Sequence, residues 1–307
     1  MSGAIVIAPP AGELVRGITN IERYQYDEIP AENWSGLKPY AVPEQAYWRE
    51  QHPMDTDTDA LKFGRRAHLL VLQSDLFYDR YVEIPVLPNG GGHQRKTATT
   101  TKEEGADNKK FLTDWKKQYA DHEWIDRDEW ALLHQMRDTL HGNAVTAPIF
   151  NFPGSLREVT CLSQLDDGAW TKSQLDMVLE TTDGEAEIIF GVPGMPDGVW
   201  IGDYKTARFA QYGKFKWAVR DFGYRGQAGF YVDNYERATG VAVAGFFFVA
   251  QEKQGVCSPA VYIASKHTLR IGRTLYNDML RVKAECKRTG VYPGYAANAQ
   301  FLDAEEF

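Results

Sequence analysis

The chain has 307 residues, of which 43% are hydrophobic and 13% aromatic, so it can build one large or two ordinary globular domains and is not a disordered protein. Its formal net charge of −8 excludes nucleic-acid coating by an overall basic surface, although a local basic groove is compatible with it. Cys161, Cys257 and Cys286 lack disulfide or zinc-site spacing and fit a reducing compartment. The apolar run 241–250 is too short to span a bilayer, so we expect a cytoplasmic protein with no membrane partner.

The first third of the chain is predicted to contain two helices separated by a loop. Residues 1–57 are rich in proline, glycine and aromatic residues and are expected to form an N-terminal extension packed on the core. A helix is predicted in "TDALKFGRRAHLLVLQSDLF", with Thr58 or Asp59 as its cap, and a second in "DRDEWALLHQMRDTLHGN". Between them, 88–110 has three consecutive glycines, then polar residues without apolar periodicity, which predicts a mobile loop.

The remainder of the chain is predicted to contain a block of strands, then a helix, another strand and a final helix. The predicted elements are strands near 156–163, 169–180, 185–191 and 199–205, a helix ending at Gly240, a strand near 241–250 and a final helix near 265–289. The strand near 241–250 is so apolar that both its faces should be covered. This order predicts an α/β fold with a central mixed sheet flanked by helices, forming one catalytic domain over 58–307.

Two charged residues interrupt the apolar strand "WIGDYKTARF" at 200–209. Since alternate strand residues point to the same side, Asp203 and Lys205 share one face of the sheet. A structural ion pair is one interpretation. However, Asp176 and Glu158 lie on preceding strands, and converging carboxylates suit Mg²⁺, with Mn²⁺ as a substitute. With a metal present, Lys205 could orient or help deprotonate the attacking water and stabilise charge on a phosphate, so the pattern predicts metal-assisted phosphodiester hydrolysis.

Cationic and aromatic residues alternate immediately after this strand. The cations are Arg208, Lys214, Lys216, Arg220 and Arg225, and the aromatic residues are Phe209, Tyr212, Phe215, Trp217, Phe222 and Tyr224. Cations can follow a phosphate backbone, and rings can stack on unpaired bases, so the segment is a candidate DNA-binding surface. An ordinary amphipathic helix with a solvated face is the alternative.

Five motifs occur in one order between residues 58 and 250: "FGRRAHLLVL", Glu158, "SQLDMV", "GDYKT" and "GYRGQAGFYVDNY". With them the chain resembles the RecE (exonuclease VIII) branch of the PD-(D/E)XK nucleases and, more distantly, RecB-type nuclease domains and lambda exonuclease. The resemblance implies a restriction-endonuclease-like core with N-terminal and loop decorations. It also implies an Mg²⁺-dependent exodeoxyribonuclease.

The resemblance assigns roles to individual residues. The missing side chain at Gly64 is expected to let the helix that carries His68 approach the sheet. Gln227 and Tyr231 match a QxxxY helix, and their spacing directs both to one place, at the DNA end or the attacking water. The implied metal ligands are His68, Glu158, Asp176, Asp203 and the Tyr204 carbonyl; the implied catalytic residues are Lys205, Glu158, Asp176, Asp203, Gln227 and Tyr231.

One interval departs from the family pattern. Asp176 and Asp203 are 27 positions apart, which is longer than the family's short hairpin, so an inserted or extended hairpin is expected between them. Asp197, in "GMPDGVW", is therefore a rival ligand. Asp176 is preferred because its 18-residue distance from Glu158 suits one hairpin that carries both acids.

The function implied by the resemblance is degradation of one strand of linear duplex DNA, 5′ to 3′, to give overhangs for recombination by strand annealing. It further implies a phage-type setting, a homo-oligomeric ring that encloses DNA ends, and a single-strand annealing protein as partner. The alternatives are a RecB-like or structure-specific endonuclease on the same core, and a non-catalytic DNA-end binding protein. The chain has no Walker A helicase motif and too few cysteines for a four-cysteine iron–sulfur cluster.

Overall fold

A computed structural model describes residues 16–21, 23–52, 57–88 and 102–295. Its strands are β1 (Gly17–Thr19), β2 (Tyr81–Glu83), β3 (Glu123–Ile125), β4 (Leu156–Gln164), β5 (Trp170–Thr181), β6 (Gly198–Ala207), β7 (Val243–Glu252) and β8 (Pro259–Ile263). Six of them form a central sheet in the order β1-β4-β5-β6-β7-β8. β6 and β7 pair in parallel, and the other neighbours in this sheet pair antiparallel. β2 and β3 form a separate parallel pair.

The helices lie on both faces of the sheet. They are α1 (Arg23–Glu28), α2 (Trp34–Leu37), α3 (Pro43–Gln51), α4 (Asp59–Leu72), α5 (Ser74–Arg80), α6 (Lys102–Gln118), α7 (Arg127–Gly142), α8 (Ala147–Phe150), α9 (Glu185–Phe190), α10 (Tyr212–Asp221), α11 (Tyr224–Thr239) and α12 (Lys266–Thr289), with a 3₁₀ turn at Lys38–Ala41. Thr58 caps α4 by accepting a hydrogen bond from the Leu61 amide, as its sequence predicts. α11 ends at Gly240, whose left-handed backbone fits the predicted C-terminal glycine.

The sheet separates two hydrophobic cores. On one face, side chains of β5, β6 and β7 such as Met177 pack with α4 and α7, and on the other, side chains such as Phe248 pack with α11. β7 is buried on both faces, as its continuous apolar sequence predicts. The predicted α/β fold, with a central mixed sheet flanked by helices, is confirmed.

Residues 34–41 pack against α11 and α12. Trp34 and Leu37 form a small core with Phe230 and Tyr276. Gly226 on α11 makes this possible, because a Cβ there would lie 2.1 Å from the Trp34 ring. The segment before α4 therefore contacts the helix that carries Gln227. The boundary between 1–57 and 58–307 stays a prediction.

Three predicted elements were wrong in part. The predicted strand near 185–191 is helix α9, which begins after Gly184 in the left-handed region. The first predicted helix ends at Leu72, because the Gln73 backbone leaves the helical region with φ −143° and ψ 62°, and α5 starts at Ser74. In the predicted loop 88–110, residues 89–101 lie outside the described residues, but helix α6 already begins at Lys102. Good helix formers in "KEEGADNKK" outweigh its single glycine.

None of the helices in the described part of the chain is long and apolar enough to cross a membrane.

Candidate active site

Three carboxylates lie in a row across β4, β5 and β6. The β4–β5 pairs Arg157–Met177 and Val159–Leu175 lie on either side of Glu158 and Asp176, and the last β5–β6 pair, Met177 with Gly202, is followed by Asp176 and Asp203. Just beyond that pair, Asp176 Oδ2 accepts a hydrogen bond from the Tyr204 backbone N–H at 2.7 Å. One hairpin therefore carries Glu158 and Asp176 into the site, as the spacing predicts.

The backbone at Glu158 is strained. Its φ of 50° lies in the left-handed region, which residues with a side chain rarely adopt. Conformations of this kind persist only where the surrounding structure fixes them, and they concentrate at functional sites. The strain therefore marks the point of β4 that enters the carboxylate row.

His68 approaches this row from α4. Its Nδ1 lies 3.6 Å from Asp176 Oδ2, and its ring centre is 5.0 Å from that of Tyr204. One ligand atom each from His68, Glu158 and Asp176 all lie within 4.8 Å of one another. The expectation for Gly64 was wrong, because a Cβ there would be 3.7 Å from Thr206 Oγ1, which is an ordinary contact. The approach of α4 to the sheet does not require a glycine.

Lys205 and Asp203 form a buried ion pair. Lys205 Nζ lies 2.6 Å from Asp203 Oδ2, and the two side chains are 15% and 1% exposed. Gln227 Nε2 on α11 donates to Asp203 Oδ1 at 3.2 Å and lies 3.0 Å from the Tyr231 hydroxyl. The structure therefore brings the predicted QxxxY pair to the DxK strand.

Burial disfavours charge on all three acids. Burial and Asp176 raise the pKa of Glu158 to about 8. Burial raises the pKa of Asp203 to about 6, although Lys205 opposes the rise, and burial also raises the pKa of Asp176. One lysine is therefore not enough to keep all three acids charged together near pH 7.

The pKa values of His68 and Lys205 shift in opposite directions. Burial and the Lys205 charge lower the pKa of His68 to about 4, so its imidazole is neutral near pH 7. Burial alone would lower the pKa of Lys205, but Asp203 and Asp176 outweigh it and raise that pKa. Lys205 is therefore an ammonium cation, and His68 can offer a ring nitrogen to a metal.

The donor set fits a divalent metal ion. Carboxylate oxygens are the ligands that Mg²⁺ and Mn²⁺ prefer, and a neutral imidazole can complete such a set. Asp203 Oδ2 is already the ion-pair partner of the Lys205 ammonium, at 2.6 Å. A cation held by His68, Glu158 and Asp176, with Asp203 beside them, would let these acids be charged together.

Asp197 lies outside this cluster. Its carboxylate is exposed and accepts hydrogen bonds from the backbone amides of Gly184 at 2.6 Å and Ala186 at 3.0 Å, at the start of α9. The long interval between Asp176 and Asp203 is thus filled by a helix that Asp197 caps, rather than by an extended hairpin. The geometry places Asp176 with the other acids; its role as a ligand stays a prediction.

Tyr204 contributes its backbone to the site. Its side chain is buried and its hydroxyl donates to Gln251 Oε1 at 2.7 Å, on the face of the sheet that packs with α4. Its amide is the group that binds Asp176. The Tyr204 carbonyl as a metal ligand stays a prediction.

The predicted DNA-binding cations divide into two groups. Arg208, Lys214, Lys216 and Arg220 are exposed on α10 and the turn before it, whereas Arg225 is half-buried on α11. Lys216 and Arg220 lie over Trp217, with the cationic centres 5.1 and 4.4 Å from the ring centre. We call the four exposed cations with Phe209, Tyr212, Trp217 and Phe222, which are also exposed, the α10 surface.

Two of the aromatic residues proposed to stack on bases are placed otherwise. Phe215 is buried and stacks on Tyr262, with ring centres 5.3 Å apart. Tyr224 is half-buried, and the Lys205 Nζ lies 4.9 Å from its ring centre. Their interpretation as base-stacking residues is wrong, because both rings pack inward.

Two neighbours of the site were not found from the sequence. Arg157, next to Glu158, donates to the carbonyls of Ile149 at 3.2 Å and Phe150 at 3.3 Å; burial lowers its pKa to about 10, against the attraction of Asp176. Lys38 comes from the 3₁₀ turn, where burial, Arg49 and Lys205 lower its pKa. Arg157 could have been noticed as a charged residue within a predicted strand, whereas no sequence motif points to Lys38.

Comparison with known proteins places the chain in a family. Residues 35–305 match a family described as a PDDEXK-like domain of unknown function (DUF3799). A crystal structure of a protein called "putative exonuclease", from Eubacterium rectale, is similar with 13% identity and a TM-score of 0.49, over 91% of this chain and 96% of that chain. No match was found among curated proteins. Because the family match covers most of the chain and the whole carboxylate row, this protein belongs to the family of PDDEXK-like domains (DUF3799).

Proposed function

We propose that this protein is a metal-dependent deoxyribonuclease that degrades one strand of linear duplex DNA from an end. The observation that carries the proposal is the convergence of Glu158, Asp176 and Asp203 with Lys205 at one point of the sheet. Membership of a PDDEXK-like family supports nuclease chemistry at this point. The exposed cations of the α10 surface, which follows the Lys205 strand in the chain, support a nucleic acid as substrate.

The reaction adds one water across a phosphodiester bond. The water oxygen bonds to phosphorus, the bond to the departing sugar oxygen breaks, and that oxygen takes a proton. A divalent ion bound by His68, Glu158, Asp176 and Asp203 would supply Lewis-acid activation and neutralise phosphate charge. These side chains bind and orient; none of them forms a covalent bond to the substrate.

Lys205 has an electrostatic role in this proposal. In the metal-free protein Asp203 and Asp176 raise its pKa, so it is an ammonium near pH 7. Its ammonium donates to the phosphate, where negative charge builds during attack. Asp203 holds the ammonium at 2.6 Å, and Gln227 fixes the other Asp203 oxygen. Of the two roles expected for Lys205, this geometry supports charge stabilisation.

Finer features of the proposal rest on the motif resemblance to the RecE-like branch. They are 5′ to 3′ polarity, production of overhangs for phage-type recombination in the cytoplasm, a homo-oligomeric ring on DNA ends, and a single-strand annealing protein as partner. Mass measurement of the purified protein in solution tests the ring. Co-purification with a candidate annealing protein tests the partner.

Digestion of end-labelled DNA tests the proposed function. Linear duplex labelled at one 5′ end, and a covalently closed circle of the same sequence, are incubated with the protein in Mg²⁺ and in EDTA. We expect loss of the linear DNA alone, only in Mg²⁺, with early release of the labelled nucleotide. Late release of the label would indicate 3′ to 5′ degradation. Cleavage of the circle would favour an endonuclease, and intact DNA of both kinds would favour an end-binding protein.

A further inference from the structure

The Lys205 ammonium lies between a carboxylate and an aromatic ring. Its Nζ is 2.6 Å from Asp203 Oδ2 and 4.9 Å from the centre of the Tyr224 ring. A cation over a ring face is attracted by the negative face of the π system, most strongly where water is excluded. We propose that Tyr224 is a positioning residue whose ring face holds the Lys205 ammonium in place for phosphate binding. The inference rests on the proposed nuclease function.

The ring itself is fixed by its neighbours. Tyr224 is the first residue of α11, and its ring centre lies 6.4 Å from that of Phe215, 5.7 Å from Phe222 and 6.2 Å from Phe248. These residues come from α10, from the turn between the two helices and from β7. A ring packed against three separate elements provides a rigid surface for the lysine.

A flexible lysine benefits from such a surface. Its side chain has four rotatable bonds, so holding the ammonium in one position costs conformational entropy, which a pre-formed contact offsets. Asp203 is not reserved for Lys205, because it also accepts a hydrogen bond from Gln227 and is itself a predicted metal ligand. The Tyr224 ring offers no oxygen ligand from its face. Its contact with Lys205 therefore does not compete with a metal for the same atom.

The ring face, and not the hydroxyl, makes the contact. Phenylalanine has the same face and should replace Tyr224, whereas leucine has no π system. Val219 on α10 is the packing control, because it is half-buried in the same core as Tyr224 and its side chain has no π system. The comparison separates the π contact from general packing at this helix junction.

The kinetic test compares parent, Tyr224→Phe, Tyr224→Leu and Val219→Ala on linear duplex DNA in Mg²⁺, each measured well below its thermal unfolding temperature. We expect kcat of Tyr224→Phe and Val219→Ala within about 2-fold of parent, and a loss of about 5- to 30-fold for Tyr224→Leu, the range of a desolvated cation–π contact. Equal loss in Tyr224→Phe and Tyr224→Leu, or no loss in either, would overturn the proposal.

A second readout does not depend on activity. Lysines methylated with ¹³C keep their charge, and the signal of Lys205 is identified by its absence from Lys205→Met. In parent and Tyr224→Phe this signal should show the upfield ring-current shift of a group over an aromatic face, and Tyr224→Leu should lose the shift. A parent without the shift would overturn the contact. A parent with the shift but no metal-dependent cleavage would refute the proposed function instead.

Discussion

Asp176 binds the backbone of Tyr204: its Oδ2 accepts the Tyr204 amide at 2.7 Å, just beyond the last pair of the β5–β6 ladder. The same oxygen lies 3.6 Å from His68 Nδ1. This bond fixes the Asp176 side chain in the row of acids, so the position of a predicted metal ligand is set by the strand next to it.

Replacing Asp176 and Asp197 separately should show which of the two is the metal ligand. Asp176→Asn keeps the shape but removes the charge, and we expect metal affinity and cleavage to fall about 100-fold or more. Asp197→Asn should leave both unchanged and lower the thermal unfolding temperature slightly, since it weakens the cap of α9. Titration calorimetry with Mn²⁺ and digestion assays measure the two effects. Loss of metal binding in Asp197→Asn alone would reverse the assignment.

The stability of the metal-free protein should fall as pH rises toward about 8. The pKa of Glu158 is about 8 when folded and 4.5 normally, so between these values the folded chain holds a proton that the unfolded chain has released. The stability from this proton is complete below about pH 4.5 and is lost as pH rises through about 8. His68 has its pKa lowered to about 4, so its contribution makes stability rise with pH, but only below about pH 6.5.

Glu158→Gln should remove this loss. In EDTA, its thermal unfolding temperature should exceed that of the parent by an amount that grows between about pH 6.5 and about pH 8 and then stays constant, at about 2–4 °C for each kcal/mol. Glu180→Gln, an exposed glutamate on β5, is the control and should follow the parent. Parallel curves for parent and Glu158→Gln would show that the Glu158 pKa is not raised.

Asn234 should be important for stability and not for cleavage. It is fully buried; it accepts from the hydroxyls of Ser163 and Thr171, and it donates to Ser173 Oγ at 2.7 Å and to the Cys161 carbonyl at 3.2 Å. Asn234→Ala would remove these four buried hydrogen bonds, at about 0.5–1.5 kcal/mol for each. We expect urea denaturation to show a loss of at least about 2 kcal/mol.

A surface asparagine provides the comparison. Asn277→Ala, on the exposed face of α12, should change stability by less than about 0.5 kcal/mol. Cleavage by Asn234→Ala, measured well below its unfolding temperature, should match the parent. A stable Asn234→Ala variant would mean that the network rearranges around the missing amide.

The α10 surface should contribute salt-dependent DNA binding. Each phosphate contact adds about 0.7–0.9 to the slope of log affinity against log salt, so Lys214→Ser with Lys216→Ser should lower that slope by about 1.5. Arg281→Ser with Arg288→Ser removes the same charge from α12, where both arginines pair with acids of their own helix. Fluorescence anisotropy with labelled duplex in EDTA gives both slopes. Equal slopes for both double variants would place the DNA elsewhere.

The sequence predicted the part of the site that lies in regular strands. Strand periodicity placed Asp203 and Lys205 on one face, and the hairpin between Glu158 and Asp176 followed from their distance and a turn signal; the structure gives both arrangements. The acidic insert was misread as a strand, because a short apolar run such as "EIIF" fits either element until the Asp197 cap is known.

Contacts between distant segments could not be predicted. Tyr224 reads as one ring of an aromatic run, and its contact with Lys205 depends on how α11 packs against β6. The Lys205 charge acts on Lys38, whose segment is held on α11 by Trp34 packing on Gly226, 192 residues further along the chain than Trp34. Local propensity carries no information on such pairs, since tertiary packing decides them.

The central claim is that the carboxylate row and Lys205 form a metal-dependent nuclease site, and one measurement tests it most directly. It is the rate at which parent and Lys205→Met release nucleotides from linear duplex DNA in Mg²⁺, with Lys253→Met as a charge-matched control at the C-terminal end of β7. We predict rapid release by parent and control and a loss of about 100-fold or more in Lys205→Met, as for removal of a transition-state charge partner. Equal rates in parent and Lys205→Met, or a folded parent that releases nothing, would contradict the claim.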